Sequence, residues 1–417
     1  MKSKPGTAIG VLITLSCVLL APLLADVPLI PRDIRLSPPD QPIPLTFFGM
    51  HIHRLGVDTG WPSIPFGSWR LWDARVTWPQ IETKPGQYDW KLLDEYQRTA
   101  ASKQVDLVYD LGGYAPEWYA ARKDPSNYGD AQKGYASEPR DLDAWRTWVR
   151  AVATRYRGKF RAYELWNEPD MKGFKSPEQT AALVQLAQAA YQILKEVDPG
   201  AVVLSPAFGT APGLARFLQL GGAAYCDAIA YHFYAGPRPP EAIVKQASDV
   251  HDAMRPFDVH KPIWDTEAGW DRDTMNPEDS AAYVARFLVL HWALGLHRFY
   301  FYSWDNQRFA LRFVAPDGSG STPAARAYAE VNRWLVGARM PACQAKGGLW
   351  TAELSREGGY HGRILWAVNQ NMSFAIPPDW HAARLRKLDG SQQPVSPGTR
   401  VNVGNTPILI ESQHPQL

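Results

Sequence analysis

Short β-branched or aromatic runs alternate with longer helical stretches from about residue 45 to about residue 340, which predicts an α/β fold, a (β/α)8 TIM barrel. The count supports a closed barrel, because eight such runs can be read and eight strands are what closure requires. The first turn supports it too. An open doubly wound sheet would bring a Gly-rich loop after its first strand, and Gly49-Met50-His51 is not one. After Met340 no helical stretch of useful length remains, which predicts a small C-terminal all-β, sandwich-like domain over residues 341–417.

The elements follow in order. Residues 1–25 read as a signal peptide: Lys2 and Lys4 make a positive start, Ala8 to Leu20 an apolar run, and Ala21 to Ala25 supply small residues before a cut at Asp26. Leu23 sits where a small residue is usual, and the apolar run approaches spanning length, so an uncleaved membrane anchor is the alternative. Residues 26–44, rich in proline (Pro28, Pro31, Pro38, Pro39, Pro42, Pro44), form an extended lead-in, of which Leu29–Leu36 is strand-like and can join the β domain. The barrel occupies residues 45–340. Its expected strands are Leu45–His53, Trp69–Val76, Val105–Gly112, Ala162–Glu168, Val202–Phe208, Ala228–Tyr234, Pro262–Glu267 and Arg298–Trp304. Helices are expected at Asp141–Tyr156, with Asp141 as N-cap, at Ser176–Val197 and at Asn276–Leu296; the last two open with Pro at the first helical position. The link between the first two strands is irregular. Beyond the barrel, Leu349–Leu354, Arg363–Val368, Ala383–Leu388 and Pro407–Ile410 read as strands, with turns at Asp389-Gly390 and Pro397-Gly398.

Composition narrows the function. The formal net charge is +2, partly owed to the two lysines of the leader, and there is no basic block or acidic tail. No nucleic-acid partner is expected from that balance. Tryptophan is the unusual residue, with 17 copies. Indoles fill cores, but exposed ones also stack on the apolar faces of sugar rings. The leader implies a secreted or periplasmic protein, with no membrane association once it is removed. Cys17 lies in the leader, and Cys226 and Cys343 are expected as two separate buried thiols rather than a disulfide framework.

In a barrel of this kind the chemistry sits at the C-terminal ends of the strands. Strand four ends Tyr163-Glu164-Leu165-Trp166-Asn167-Glu168-Pro169 and strand seven ends Ile263-Trp264-Asp265-Thr266-Glu267-Ala268-Gly269. At roughly 3.3 Å per residue, Glu164 falls about 13 Å below Glu168 and Asp265 about 6.6 Å below Glu267. Only Glu168 and Glu267 reach the rim. Glycosidic cleavage needs such a pair, one carboxyl to protonate the leaving oxygen and one carboxylate on the other side of the anomeric carbon.

Trp166-Asn167-Glu168-Pro169 resembles the Asn-Glu acid/base motif of the clan A retaining glycoside hydrolases, whose catalytic glutamates stand on strands four and seven of a (β/α)8 barrel. Thr266-Glu267 followed by Gly269 resembles the clan's nucleophile strand. His232-Phe233-Tyr234 is similar to its His-x-Tyr element, Arg70 stands where it places an Arg under the nucleophile, and Trp304 matches its substrate platform. Trp78-Pro79-Gln80-Ile81-Glu82, running on to Pro85-Gly86-Gln87-Tyr88-Asp89-Trp90, is also typical after strand two. The resemblance covers roughly residues 45 to 310. Within the clan the chain looks most like family 39, which includes β-xylosidases, α-L-iduronidases and hydrolases of biofilm polysaccharides, with family 5 as the nearest competitor.

The resemblance implies Glu168 as acid/base and Glu267 as nucleophile, the latter kept ionised by Arg70 and the Tyr234 hydroxyl. It implies Asn167 on the sugar 2-hydroxyl and no cofactor or metal. Arg70 has an alternative, neutralising the deeper Glu164 or Asp265, because buried carboxylates need partners. His51, Trp72 and Trp118 are candidate subsite residues, each with packing as its plainer use. The expected partner is an oligosaccharide or polysaccharide, one candidate being a biofilm exopolysaccharide.

Two other readings stand beside this one. His51-Ile52-His53 ends strand one, as in metal-dependent amidohydrolase barrels, and His232 and Asp305 fit that scheme. It also wants a Lys on strand four and a His on strand five, where the chain has Glu168 and Ser205-Pro206-Ala207-Phe208. The other reading is a carbohydrate-binding protein without turnover.

Overall fold

The structure is a computed structural model that describes residues 33–124, 134–171, 173–270, 274–306, 308–315 and 321–412. The leader, with Cys17, lies outside the described residues.

Eight parallel strands form the barrel: Phe48–Met50, Ser68–Leu71, Asp106–Asp110, Ala162–Glu164, Val202–Leu204, Ile229–Tyr231, Ile263–Gly269 and Leu296–Tyr302, referred to below as strands one to eight. In space they run five, four, three, two, one, eight, seven, six. Parallel bridges Leu204↔Ala228 and Phe208↔Tyr231 join strands five and six and close the ring. Most are shorter than the sequence suggests. The regular ladder of strand four stops at Glu164, beyond which only Asn167 is bridged, to Ala207. Leu45–Phe47, expected at the head of strand one, is a 3-10 turn.

Ala162, Ala207, Ala228 and Ala230 on one side face Trp264 and Tyr300 on the other, so small residues make room for two large rings. The Arg298 guanidinium lies 4.7 Å from the Trp264 ring centroid and bonds Asp106 at 2.7 Å. Strand seven is buried along its whole length. Residues 51–67, between strands one and two, contain no helix, as expected of that link.

Helices sheathe the barrel. Leu142–Arg155 starts at Asp141, whose side chain accepts from the Asp143 N–H. Pro177–Val197 starts with a capping box of Ser176 and Gln179. Pro277–Ala293 is the third of the expected helices. Lys91–Ser102, Ala211–Gln219, Ile243–Met254 and Pro323–Leu335 complete the coat and were not expected individually.

The tryptophans serve mainly the core. Trp69, Trp78, Trp145, Trp148, Trp166, Trp292, Trp350 and Trp366 are all fully buried. Trp90 and Trp78 both stack on Trp148, with ring centroids 5.7 and 5.8 Å away. Gly112 is needed here, since a Cβ would come within 2.2 Å of the Trp166 ring.

The β region carries a seven-stranded antiparallel sheet ordered Ile34–Leu36, Arg339–Lys346, Leu349–Arg356, Tyr360–Ala367, Ile408–Ser412, Ala382–Arg386 and Gln392–Pro394. The lead-in strand therefore does join it, pairing with Arg339–Lys346. A two-stranded sheet of Met372–Ala375 and Arg400–Val403 packs on the other side of a core made by Leu365, Ile376, Leu385, Val403 and Ile410. The region is fastened to the barrel by buried Glu241, which accepts from Trp366 Nε1 at 2.7 Å and from Arg286 Nη1 at 3.1 Å. Cys226 and Cys343 are buried free thiols.

Candidate active site

The site is organised by one buried cation. Arg70, on strand two, is fully enclosed and has three other strand ends within reach. Its Nε donates to Glu164 Oε2 at 3.0 Å and its Nη2 to Glu164 Oε1 at 2.5 Å, a two-pronged pair. Nη2 also reaches Asn167 Oδ1 at 2.7 Å and Asp110 Oδ2 at 3.3 Å, and Nη1 donates to Glu267 Oε2 at 3.0 Å. Both alternatives for Arg70 therefore hold at once for Glu164 and Glu267. Asp265 is served differently: its Oδ2 lies 2.6 Å from His291 Nε2, and its Oδ1 accepts from the Glu267 backbone N–H at 3.2 Å.

Glu164 is fully buried, as its place below the rim predicted, and Arg70 is the partner it needed. The same guanidinium touches both Glu164 and Glu267. Above Glu164 the regular ladder lapses, and Glu168 itself has φ +42. A left-handed glutamate costs on the order of 1–3 kcal/mol and persists where surrounding contacts impose it. Here the imposing contact is His232, whose Nδ1 lies 3.0 Å from Glu168 Oε1. The Asn167↔Ala207 bridge pins the preceding residue.

Glu168 and Glu267 thus meet across the mouth. One oxygen of each, together with a His232 nitrogen, falls within a set of atoms no more than 4.8 Å apart. Glu267 is buried and its Oε1 accepts from the Tyr234 hydroxyl at 3.0 Å. Glu168 is the more open of the two, with 15% of its side chain exposed against 9% for Glu267.

The electrostatics qualify one expectation. Burial pushes the Glu267 carboxyl up from 4.5 to about 7, and the Glu168 charge adds to this, while His232 and Arg70 pull the other way. Arg70 and Tyr234 were expected to keep this group ionised; burial acts against them more strongly than any single charge, and the Arg70 charge is also engaged by Glu164 and Asp110. Asp110 is driven well above the carboxylate range, by burial and then by the Glu164 charge. Burial opposes a charge on His232, yet Glu267 and Glu168 outweigh it and raise the ring above its ordinary value.

A second polar cluster borders the pair on the side of strands one and two. His51 is fully buried and its Nε2 lies 2.9 Å from the Thr266 carbonyl, beside the nucleophile position. Burial lowers its pKa to about 4. His53 Nε2 lies 2.8 Å from Asp73 Oδ1, and the Tyr302 hydroxyl donates to Asp73 Oδ2 at 2.5 Å. Burial disfavours a charge on His53, but Asp73, with Asp305 and Glu267, raises its pKa. Asp73, Asp110 and Tyr302 were missed in the sequence. Asp73 follows Trp72 directly and could have been found as the first carboxylate after strand two.

The other candidates divide. Trp304 is 5% exposed, its N–H donates to the His51 carbonyl, and its indole Nε1 has no hydrogen-bond partner, so it borders this cluster with most of its ring covered. Trp72 is buried and stacks on Tyr114 at 5.3 Å, a packing role. Trp118 is half-buried, with its carbonyl held by Arg140. Asp305 accepts from the backbone N–H groups of His53 and Arg54, each at 2.8 Å, and so fixes a loop. His232 is engaged with Glu168. The amidohydrolase scheme's extra ligands are thus committed elsewhere.

No protein-family model matches the sequence. A curated β-xylosidase of Geobacillus stearothermophilus is 25% identical over 194 residues, and the match takes in 37% of this chain and 37% of that protein's length. Among solved structures, a family 39 glycoside hydrolase from Bacteroides cellulosilyticus superimposes with a TM-score of 0.71 at 18% identity, covering 90% of this chain and 82% of that one. A family 39 β-xylosidase from Caulobacter crescentus gives 0.64 at 19% identity, covering 91% and 98%. By fold the chain is like the family 39 glycoside hydrolases, and by sequence it is like a β-xylosidase.

Proposed function

We propose that the protein is a retaining glycoside hydrolase in which Glu168 is the acid/base and Glu267 the nucleophile. The observation that carries this reading is the approach of the two carboxylates from opposite strands, with an oxygen of each in a group spanning at most 4.8 Å. A retaining pair stands about 5–5.5 Å apart, whereas an inverting pair needs about 6.5–9.5 Å to admit a water.

Roles follow from the partners. Glu267 receives donors on both oxygens, from Arg70 and Tyr234, which suits an anion aimed at the anomeric carbon. Glu168 faces a histidine that can hold or release a proton and is open enough to meet a leaving oxygen and then a water. In the first step Glu168 gives its proton to the departing oxygen while Glu267 bonds to the anomeric carbon. The ester cancels the Glu267 charge, so Glu168 then takes a proton from water as that water attacks. Asn167, steered by Arg70, binds the sugar 2-hydroxyl.

The substrate is a neutral oligosaccharide or polysaccharide, a biofilm exopolysaccharide being one case. Glu164, Asp110, Asp73 and Asp305 surround the pair, and Arg70 is engaged by carboxylates, which disfavours acidic sugars. The likeness to β-xylosidases makes a pentose glycone the first to try. The leader of the sequence points to action outside the cytoplasm, in the periplasm or medium. Incubation with neutral and acidic polysaccharides and aryl glycosides, followed by mass analysis and anomeric NMR, tests the reading. The expected outcome is a new reducing end that first appears in the substrate's anomeric configuration. First appearance in the opposite configuration, or sugar binding without any cleavage across the panel, would overturn it.

A further inference from the structure

Three side-chain atoms beside the catalytic pair converge without proper hydrogen-bond partners. They are His51 Nδ1, His53 Nε2 and Asp73 Oδ1, all buried at the atom level. Buried polar atoms are nearly always satisfied, so three orphans facing one point need a cause.

The tautomers sharpen the problem. His51 Nε2 faces a carbonyl, which only accepts, so the ring proton belongs on Nε2 and Nδ1 presents a lone pair. That lone pair looks toward Asp73 Oδ1 at 3.9 Å, itself an acceptor. His53 Nε2 approaches the same oxygen at 2.8 Å, but not along a hydrogen-bond direction. One ligand atom from each of the three residues lies within 4.8 Å of the other two. Ligands around a tetrahedral zinc, with bonds of about 2.0–2.1 Å, stand roughly 3.3 Å apart. The separations bracket that figure.

Each group is also supported from behind in the manner of metal ligands. His51 has the Thr266 carbonyl on its far nitrogen, and His53 Nδ1 lies 3.6 Å from the Asp305 carboxylate. Asp73 accepts the Tyr302 hydroxyl on its other oxygen. Such partners fix ring orientation and raise ligand basicity. We propose that His51, His53 and Asp73 form a three-ligand site for a borderline divalent transition ion of the zinc class, at the strand one and two rim beside the catalytic pair.

Two imidazoles and one carboxylate select zinc, cobalt or copper over magnesium or calcium, which prefer an all-oxygen shell. The site differs from the amidohydrolase arrangement, which would draw on His232 and Asp305. It stands independently of the hydrolase reading.

The test uses the untagged chain, stripped with chelator, in equilibrium dialysis against zinc, with cobalt as a visible reporter. One zinc per chain is expected, and cobalt should give the absorption of a low-coordinate site. Asp73→Asn and His53→Ala should each weaken zinc at least tenfold, and Glu267→Gln should leave it within about twofold. Should those two variants unfold, Tyr302→Phe keeps all three ligands and should still weaken binding, by about 10–100-fold. Absence of zinc binding would overturn the proposal and leave the cluster as a contact for sugar hydroxyls. Zinc lost in Glu267→Gln but kept in Asp73→Asn would overturn it as well, placing the ion on Glu168, His232 and Glu267.

Discussion

The ends of strands four and seven bring the same side chain to the same place by opposite means. Strand seven runs on through Gly269, and Glu267 projects from a buried bulge between Asp265 and Ala268 onto Arg70 and Tyr234. The regular ladder of strand four stops at Glu164, and Glu168 follows the Asn167↔Ala207 bridge in left-handed conformation, held by a histidine. The first arrangement fixes an oxygen where a carbon must be attacked. The second leaves a carboxyl able to exchange a proton with His232, with a leaving group and with water. What the difference teaches is that rigidity goes with the nucleophile and access with the acid/base.

The contrast breaks most visibly in the leaving-group dependence of the two amide variants. Glu267→Gln should lower kcat by about 10⁵–10⁶-fold whatever the leaving group, as loss of a nucleophile does. Glu168→Gln should lose about 10²–10⁴-fold in kcat/KM on natural linkages and far less in kcat/KM on an activated aryl glycoside, whose departure needs little proton donation. Equal losses on both substrates for both variants would remove the assigned division of roles.

Arg70→Met addresses the strand seven side. It leaves Glu164 and Glu267 buried without their cation, so a stability loss of about 3–5 kcal/mol is expected in chemical denaturation. A loss under about 1 kcal/mol would mean that the carboxylates are neutralised by other means.

On the strand four side, His232→Gln should cost up to about 10²-fold in kcat through misplacement of Glu168, with the protein still folded. It should also move the acid-base limbs of the pH profile, because His232 exchanges charge with both carboxylates. An unshifted profile would reduce His232 to packing.

The smallest effect concerns stability against pH. Glu267 holds its proton to about 7 in the folded chain, against 4.5 when unexposed to that setting. Between those values the unfolded chain has given up the proton and the folded chain has not, so stability declines as pH rises through the window. Glu267→Gln removes the titrating group. Its melting temperature relative to wild type should therefore climb from pH 4.5 to about pH 7 and level off above. A difference that is flat or falls across that range would contradict the burial account.

Much of this was legible in the sequence. Eight alternating runs predicted the barrel, and the Asn167-Glu168 and Thr266-Glu267 segments marked the rim because their neighbours are aromatic strand formers. Boundaries were less legible. Strand four was expected to run to Glu168, whereas its regular ladder ends at Glu164 and resumes only as the Asn167↔Ala207 bridge, which no local signal announces. The excess of tryptophan left core packing and sugar platforms both open, and indoles such as Trp148 and Trp366 are core, a distinction that depends on packing between distant residues. Arg70 showed that it needed a carboxylate but not how many. Asp110 and Glu164 reach it from the neighbouring strands three and four as direct register partners, whereas Glu267 comes from strand seven, which only closure of the barrel brings to the same guanidinium. Asp73 was passed over for a similar reason: its partners His53 and Tyr302 come from strand ends 20 and more than 200 residues away.

The division between the two glutamates is tested most directly by azide rescue of the alanine variants on an activated substrate. Glu168→Ala should form a glycosyl azide with the substrate's anomeric configuration, because azide intercepts the ester on Glu267. Glu267→Ala should form the azide of opposite configuration, because azide then takes the nucleophile's place. The reverse pairing of variants and configurations, or no rescue of either, would contradict the roles assigned here.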